Sequence, residues 1–284
     1  MSRRCSNIRD ITPASPAPPG RSSSDAGFSQ SLERGLAILS AFKPGRPLLG
    51  SSELAREIGL SRSTAHRYVA SLAMLGYLQQ DPLTRKYRLG PRVLDLGFSA
   101  INSMEIRDIS APYLQQLSDE TGHTVNMAIL DDCDIVYVER CRSSRQGQRD
   151  IDLNLHVGSR LPAYCTSMGK VLLAYLPDDE QAAVIDRSEL SPRGPNTLTA
   201  RRTLLSDLAR VRETGLAINN EELAYGLRSI AAPVRSRSGE VAAAINLAAH
   251  RSMVSMEDLV ARLSPAVKRT AEHISERIGY RPGR

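Results

Sequence analysis

Apolar residues recur at helical spacing from residue 31 to 42, where Leu32, Leu36, Leu39 and Phe42 share one face before Lys43-Pro44-Gly45 ends the run. That spacing predicts a helix over 31–42. Leu54, Ala55 and Ile58 form a second stripe ahead of Gly59-Leu60-Ser61, and Ala65, Val69, Leu72 and Leu75 form a third after it. Two short helices broken by a tight turn, over about 51–70, make a helix-turn-helix pattern. Residues 77–89 hold two extended runs around Asp81-Pro82, which predicts a β-hairpin and gives the module a wing.

Gly90-Pro91 marks a boundary, and 93–101 is an apolar helical stretch suited to linking two domains and pairing with its copy in another subunit. A helix over 107–121 is closed by Gly122. Alternation then predicts strands at 124–130 and 135–139, a polar loop at 141–150 and a short strand at 151–155. Helical patterns return at 168–175, 179–187 and 203–214, and strands at 216–219, 229–235 and 241–248, the last two joined as a hairpin. Ser255 and Asp258 form a capping box that opens a final helix running toward 278. Antiparallel hairpins interrupted by helices, without regular βαβ alternation, predict an α+β fold. The expected division is a disordered tail at 1–27, a winged helix-turn-helix at 28–91, a linker helix at 92–105 and a sheet domain at 106–280.

Charge sets the helix-turn-helix segment apart from the rest of the chain. The chain carries 37 Lys and Arg against 31 Asp and Glu, for a net +6. Between residues 43 and 92 nine basic residues face three acidic ones, so this short segment holds an excess as large as that of the whole chain. Ser61 is placed to cap the second helix of the motif, whose outer face is left to Arg62, Ser63, His66 and Arg67. Candidate contacts to double-stranded operator DNA are Ser51, Ser61, Arg62, Ser63, Thr64, His66, Arg67 and, on the wing, Arg85 and Lys86.

Enzymatic chemistry finds little support. Gly169-Lys170 lacks the glycine and the hydroxyl residue of a phosphate loop, and no nucleophile elbow, zinc-protease or dinucleotide-binding motif occurs. Neither a cofactor nor a metal is expected, because His123 and His156 with Cys133 or Cys141 fit no standard zinc spacing. No apolar run is long enough to span a bilayer, and residues 1–27 lack the apolar stretch of a signal peptide, so a cytoplasmic protein is expected. An alternative of another class is a thiol-based redox sensor or enzyme using Cys133, Cys141 and Cys165, with Cys133 and Cys141 as a possible pair.

Several separated segments resemble one family in the right order. They are residues 31–39 (SLERGLAIL), 59–67 (GLSRSTAHR), 87–90 (YRLG), 157–162 (VGSRLP) and 226–234 (GLRSIAAPV). The chain resembles the IclR family of bacterial transcription regulators, from about residue 30 to 279. The resemblance implies a C-terminal GAF-like effector-binding domain with an antiparallel sheet and packed helices, no enzymatic activity, and assembly as a homodimer or dimer of dimers. Residues 161–174 further resemble the PcaR/PobR-like branch, which answers to aromatic acids of the protocatechuate, 4-hydroxybenzoate and β-ketoadipate pathways. Other branches answer to 2-oxo acids, acetate-repression signals or sugar acids. Carried over residue by residue, the effector pocket would comprise Ser167, Met168, Asn219, Ser229, Asn246 and Ala248, with Thr166 at the helix cap and the ring or chain of the ligand expected among Met127, Met168 and Ile245. Thr166 would cap a helix whose N-terminus faces a carboxylate, and the lining would lack a fixed negative charge.

Overall fold

The computed structural model describes residues 28–43, 45–102, 104–143 and 154–281. The expected tail at 1–27 and most of the expected loop and strand at 141–155 lie outside the described residues. Residues 154 and 155 carry no strand. Two compact units meet in sequence at Ser103 and Met104.

In the first unit, α1 (Gln30–Ser40), α2 (Ser51–Glu57) and α3 (Arg62–Met74) surround a small core of Ile38, Leu49, Leu54, Val69, Leu78 and Tyr87. Ser29 caps α1 and Ser61 caps α3, each accepting a backbone N–H three residues on. Gly59 makes the turn between α2 and α3 with φ of 67°, where a side chain would be strained. The wing is β1 (Leu78–Gln80) paired antiparallel with β2 (Tyr87–Leu89), and a bridge from Leu49 to Tyr87 extends it. Gly90 passes so close to Gly76 that a Cβ would meet its carbonyl oxygen at 2.2 Å. The helix α4 (Arg92–Asn102) follows.

The second unit begins with α5 (Glu105–Thr121), ended by Gly122 in the left-handed conformation. Its six-stranded antiparallel sheet comprises β3 (Thr124–Asp131), β4 (Asp134–Cys141), β5 (Arg160–Pro162), β6 (Ala217–Asn220), β7 (Leu227–Arg235) and β8 (Val241–His250), in the order β5-β4-β3-β8-β7-β6. The three-residue β5 is too short to show an alternation in sequence. The opposite faces of the sheet bury different partners. One packs Val125, Met127, Ile230, Ile245 and Leu247 against α5 and the final helix, α10 (Ser264–Ile278). The other packs Ala128, Ala231 and Ala244 against α6 (Ser167–Ala174), behind which lie α7 (Asp178–Arg187) and α8 (Arg201–Thr214).

The expected final helix is helical throughout 256–278 but changes pitch within it. Ser255 caps the short α9 (Met256–Asp258), a wider π turn spans Leu259–Leu263, and α10 resumes with Pro265 in its first turn. Pro265 has no N–H to give the preceding turn, so the α-helical ladder cannot run through it.

The helix α6 is buried along its whole length, with Met168, Val171, Leu172 and Leu173 in the core, and two further contacts fix its position. A Cβ on Gly169 would lie 2.2 Å from the Ala163 carbonyl oxygen, so glycine permits α6 to start directly over that segment. Lys170 is 1% exposed; its ammonium donates to the Ile218 carbonyl at 2.6 Å and pairs with Glu222 at 2.6 Å and Asp207 at 2.9 Å. Removing one member of a buried ion cluster strands the others, at a cost of about 3–5 kcal/mol. Lys170→Met is therefore expected to lower the unfolding free energy by about that amount in urea denaturation. Burial raises the Glu222 carboxyl above its ordinary range despite Lys170. The folded protein consequently holds that proton to higher pH than the unfolded chain does, and the stability tied to it is lost as pH rises from the ordinary glutamate range through the raised value. Urea midpoints measured across this window should fall less steeply with pH for Glu222→Gln than for the natural protein.

Candidate functional site

The DNA-reading face forms on α3. Arg62, Ser63, His66 and Arg67 are exposed while Ala65 and Val69 on the opposite side are buried, which follows from the helical period. Ser61 is exposed and accepts the Thr64 N–H at 3.2 Å; its hydroxyl also donates to Thr64 Oγ1 at 2.8 Å, so Thr64 belongs to the cap. Ser51 is the half-buried first residue of α2. On the wing Arg85 is exposed with φ of 59°. Lys86 pairs with Glu53 at 3.2 Å and so ties the wing to α2. The Gly50 N–H and then Lys86 hold the Glu53 carboxyl below its ordinary range. Sequence reading passed over Arg88, exposed on β2 and donating to Gln79 at 3.1 Å, although strand alternation with the buried Tyr87 marks it.

A cavity of about 50 Å³ opens in the second unit where the N-terminus of α6 meets β3, β8 and β7. Six of the nine residues expected there line it: Thr166, Ser167, Asn219, Ser229, Asn246 and Ala248. Met127 and Ile245 do not. Thr124 and Asn126 face the cavity, and the period of two along β3 sends Met127 to the opposite face, where it pairs in register with Ile245. Met168 is fully buried in the core under α6 and also does not line the cavity.

A continuous chain of hydrogen bonds crosses the cavity floor. Arg140 on β4 donates to Asn126 Oδ1 at 3.0 Å, and Asn126 donates in turn to Asn246 Oδ1 at 2.8 Å on the directly opposed position of β8. Asn246 Nδ2 lies 3.5 Å from Ser167 Oγ, whose hydroxyl bonds that of Ser229 at 2.7 Å. Beside them Asn219 donates to the Cys165 carbonyl at 2.6 Å and accepts the Glu222 N–H at 3.1 Å. Thr166 caps α6 by accepting the Gly169 N–H at 3.1 Å, which leaves the first two amides of the helix facing its open end. Burial lowers His123 and raises the Tyr137 phenol, so both favour their neutral forms. Arg140 thus brings a permanent positive charge to a lining that, among the described residues, has no carboxylate. Sequence reading missed Arg140, since only the register of β4 against β3 brings it to Asn126.

The chain that joins this helix-turn-helix with its exposed basic face to the sheet domain and its polar cavity matches known families over most of its length. Residues 31–82 match the IclR helix-turn-helix domain, and residues 98–276 match the bacterial transcriptional regulator IclR C-terminal domain. This chain is a member of the IclR family. It is 37% identical to the Pca regulon regulatory protein of Pseudomonas putida over 85% of this chain and 81% of that one. It is 33% identical to the p-hydroxybenzoate hydroxylase transcriptional activator of Acinetobacter baylyi, over 86% and 89% of the two chains. The crystal structure of a putative transcriptional regulator from Rhodococcus sp. RHA1 superposes with a TM-score of 0.76 at 38% identity, covering 88% of this chain and 98% of that one. As an IclR protein the chain is a transcriptional regulator and not an enzyme.

The thiols fit that assignment. Cys133 and Cys141 bound the length of β4, and eight extended residues span roughly 26 Å. A disulfide needs Cα atoms within about 7 Å, so the redox pair considered from sequence is excluded by the strand between them. Burial raises Cys141 to about 11 and Cys165 to about 12, and Cys133 is raised as well. No cluster of potential metal ligands occurs among the described residues. Alkylation of the folded protein by iodoacetamide at pH 8 is expected to leave Cys141 and Cys165 unmodified and DNA affinity unchanged; rapid labelling of either with loss of binding would restore the thiol reading.

Proposed function

We propose that this IclR regulator controls the breakdown of aromatic acids, and that its effector is a small carboxylate, either an aromatic acid such as 4-hydroxybenzoate or protocatechuate or an open-chain acid of the β-ketoadipate kind. The observation that carries the reading is the meeting of the α6 N-terminus with Arg140 over a floor of Asn and Ser groups. Backbone amides at a helix N-terminus and a guanidinium both favour a carboxylate, and Asn219, Ser229 and Asn246 supply orienting hydrogen bonds. Leu223, Leu227 and Met253 offer apolar contact to a ring. The names of the relatives from Pseudomonas putida and Acinetobacter baylyi favour the same class of ligand. A cavity that admits benzene measures about 150 Å³, so binding a benzoate requires these walls to move apart.

The protein acts in the cytoplasm on operator DNA. In this reading α3 enters the major groove with Arg62 and Arg67 reaching base edges, and Arg85 lies on a phosphate. Leu94 and Leu96 on α4 are 60% and 57% exposed, and Leu32 and Leu36 on α1 are 63% and 54% exposed. Two copies would bury these side chains together and set the recognition helices about one DNA turn, ~34 Å, apart. The side chain of Ile101, also expected in that seam, lies outside the described residues. Linkage requires that an effector which changes operator affinity be bound with an affinity changed by the same factor in the presence of operator.

Two sets of measurements separate the halves of this proposal. Arg62→Ala and Arg67→Ala should each cost about 1–3 kcal/mol of discrimination against non-operator DNA, whereas Arg85→Ala should weaken binding to all sequences alike and flatten its salt dependence by about one unit. Equal footprints and affinities for wild type and the α3 variants would mean that another surface reads the bases. In calorimetry, 4-hydroxybenzoate should bind about tenfold or more tightly than its amide, with Arg140→Met and Asn219→Ala losing most of that preference. Binding of a 2-oxo acid in place of every aromatic acid would assign the cavity to another branch of the family. Equal binding of acid and amide, with both variants indifferent, would remove the effector site and leave the DNA reading standing.

A further inference from the structure

Leu83 is 91% exposed, more so than any other described large hydrophobic residue, and it stands at the tip of the wing. A side chain so placed on a slack loop would call for no explanation, because isolated apolar residues are common on protein surfaces. This tip is not slack. Asp81 Oδ1 accepts the Leu83 N–H at 3.1 Å, the Thr84 N–H at 2.7 Å and the Thr84 hydroxyl at 2.8 Å. Gln80 donates to the Arg85 carbonyl at 2.9 Å, and the Asp81 N–H donates to the Lys86 carbonyl at 2.8 Å. Lys86 then pairs with Glu53, anchoring the hairpin to α2. The result is a tip that holds Leu83 away from its own domain in a fixed direction, with Pro82 beside it.

The surroundings select the partner. Arg85 and Arg88 are exposed and Lys86 is partly so, and one leucine on a wing that carries these cations is far too small an apolar surface to dock a protein, whose interfaces bury on the order of 800 Å² a side. A polyanion with narrow apolar steps between stacked faces fits both features. Side chains such as Leu and Pro are the kind that enter between base pairs from the minor groove, unstack one step and bend the duplex toward the major groove. We infer that Leu83 is such a wedge: the wing inserts it into the minor groove beside the half-site read by α3, with Arg85 on the adjoining phosphate, so that the operator is bent and flexible A·T-containing steps are favoured there. This inference rests on the reading of α3 and the wing as the DNA-binding surface. It adds selectivity at positions that α3 does not touch.

The test uses the full-length protein and a duplex selected by it from random sequence, labelled at its ends with a fluorescent donor and acceptor. Energy transfer reports the bend, and titration reports affinity. Replacing the A·T pairs flanking the half-site with G·C should weaken wild-type binding about tenfold, while inosine·cytosine pairs, which lack the minor-groove amino group, should bind like A·T. Leu83→Ser should straighten the duplex and erase the G·C penalty, and Leu83→Met should retain both. The exposed position makes these variants fold as wild type does, which an unchanged melting temperature verifies. An unchanged bend and G·C penalty in Leu83→Ser would overturn the wedge, as would an equal penalty for inosine·cytosine, or a uniform loss of affinity with the bend preserved. Retained sensitivity to Arg67→Ala in the same assay would show that the failure lies with the wedge and not with the DNA-binding surface.

Discussion

A buried ammonium holds the sensing half of this protein in register. Lys170 reaches from α6 to a backbone carbonyl of β6, to Glu222 just beyond that strand and to Asp207 on α8. Withdrawing such charges from water is costly, and the cluster persists only because each finds partners at close range. Glycine at 169 lets the same helix lie against the Ala163 carbonyl. Together these constraints determine where the first turn of α6 can lie, and hence where the Ser167 hydroxyl meets Ser229 and Asn246 of the sheet.

The cavity follows from that placement and from sheet register. Asn126 and Asn246 are directly opposed on β3 and β8, so their side chains project from the same face and bond to one another. A slip of β3 by one residue would turn Asn126 toward α5 and α10 and present an apolar neighbour to Asn246 instead. Asn219 touches three structures at once, since it lines the cavity, bonds the Cys165 carbonyl ahead of α6 and receives the Glu222 N–H. A ligand that engages Asn219 therefore bears on the ion cluster that positions α6. This supplies a physical connection between occupancy of the cavity and the packing of α6 and α8.

Helical periods and caps made most of the architecture legible in sequence. The α2-turn-α3 motif, the wing and the hairpin of β7 and β8 each have a periodic pattern bounded by turn residues. The site was less legible because it depends on pairing between distant segments. Met127 was expected in the pocket as an apolar neighbour of the ligand, yet strand alternation from Asn126 alone places it on the other face. Arg140 lies fourteen residues from Asn126, and no local pattern announces that a hairpin brings them together. Pro265 inside the last apolar run did carry a signal, and it accounts for the π turn that interrupts the expected helix.

The central claim is that the cavity holds its effector as a carboxylate anion through the α6 amides and the Arg140 guanidinium. Carbon NMR of 4-hydroxybenzoate labelled at the carboxyl carbon and bound to the protein tests this directly. Two charge-assisted partners should depress the acid's pKa, so the bound signal should retain the shift of the ionised form at pH values where the free acid is protonated. A bound signal that titrates at or above the pH of the free acid would show that no such anion site exists.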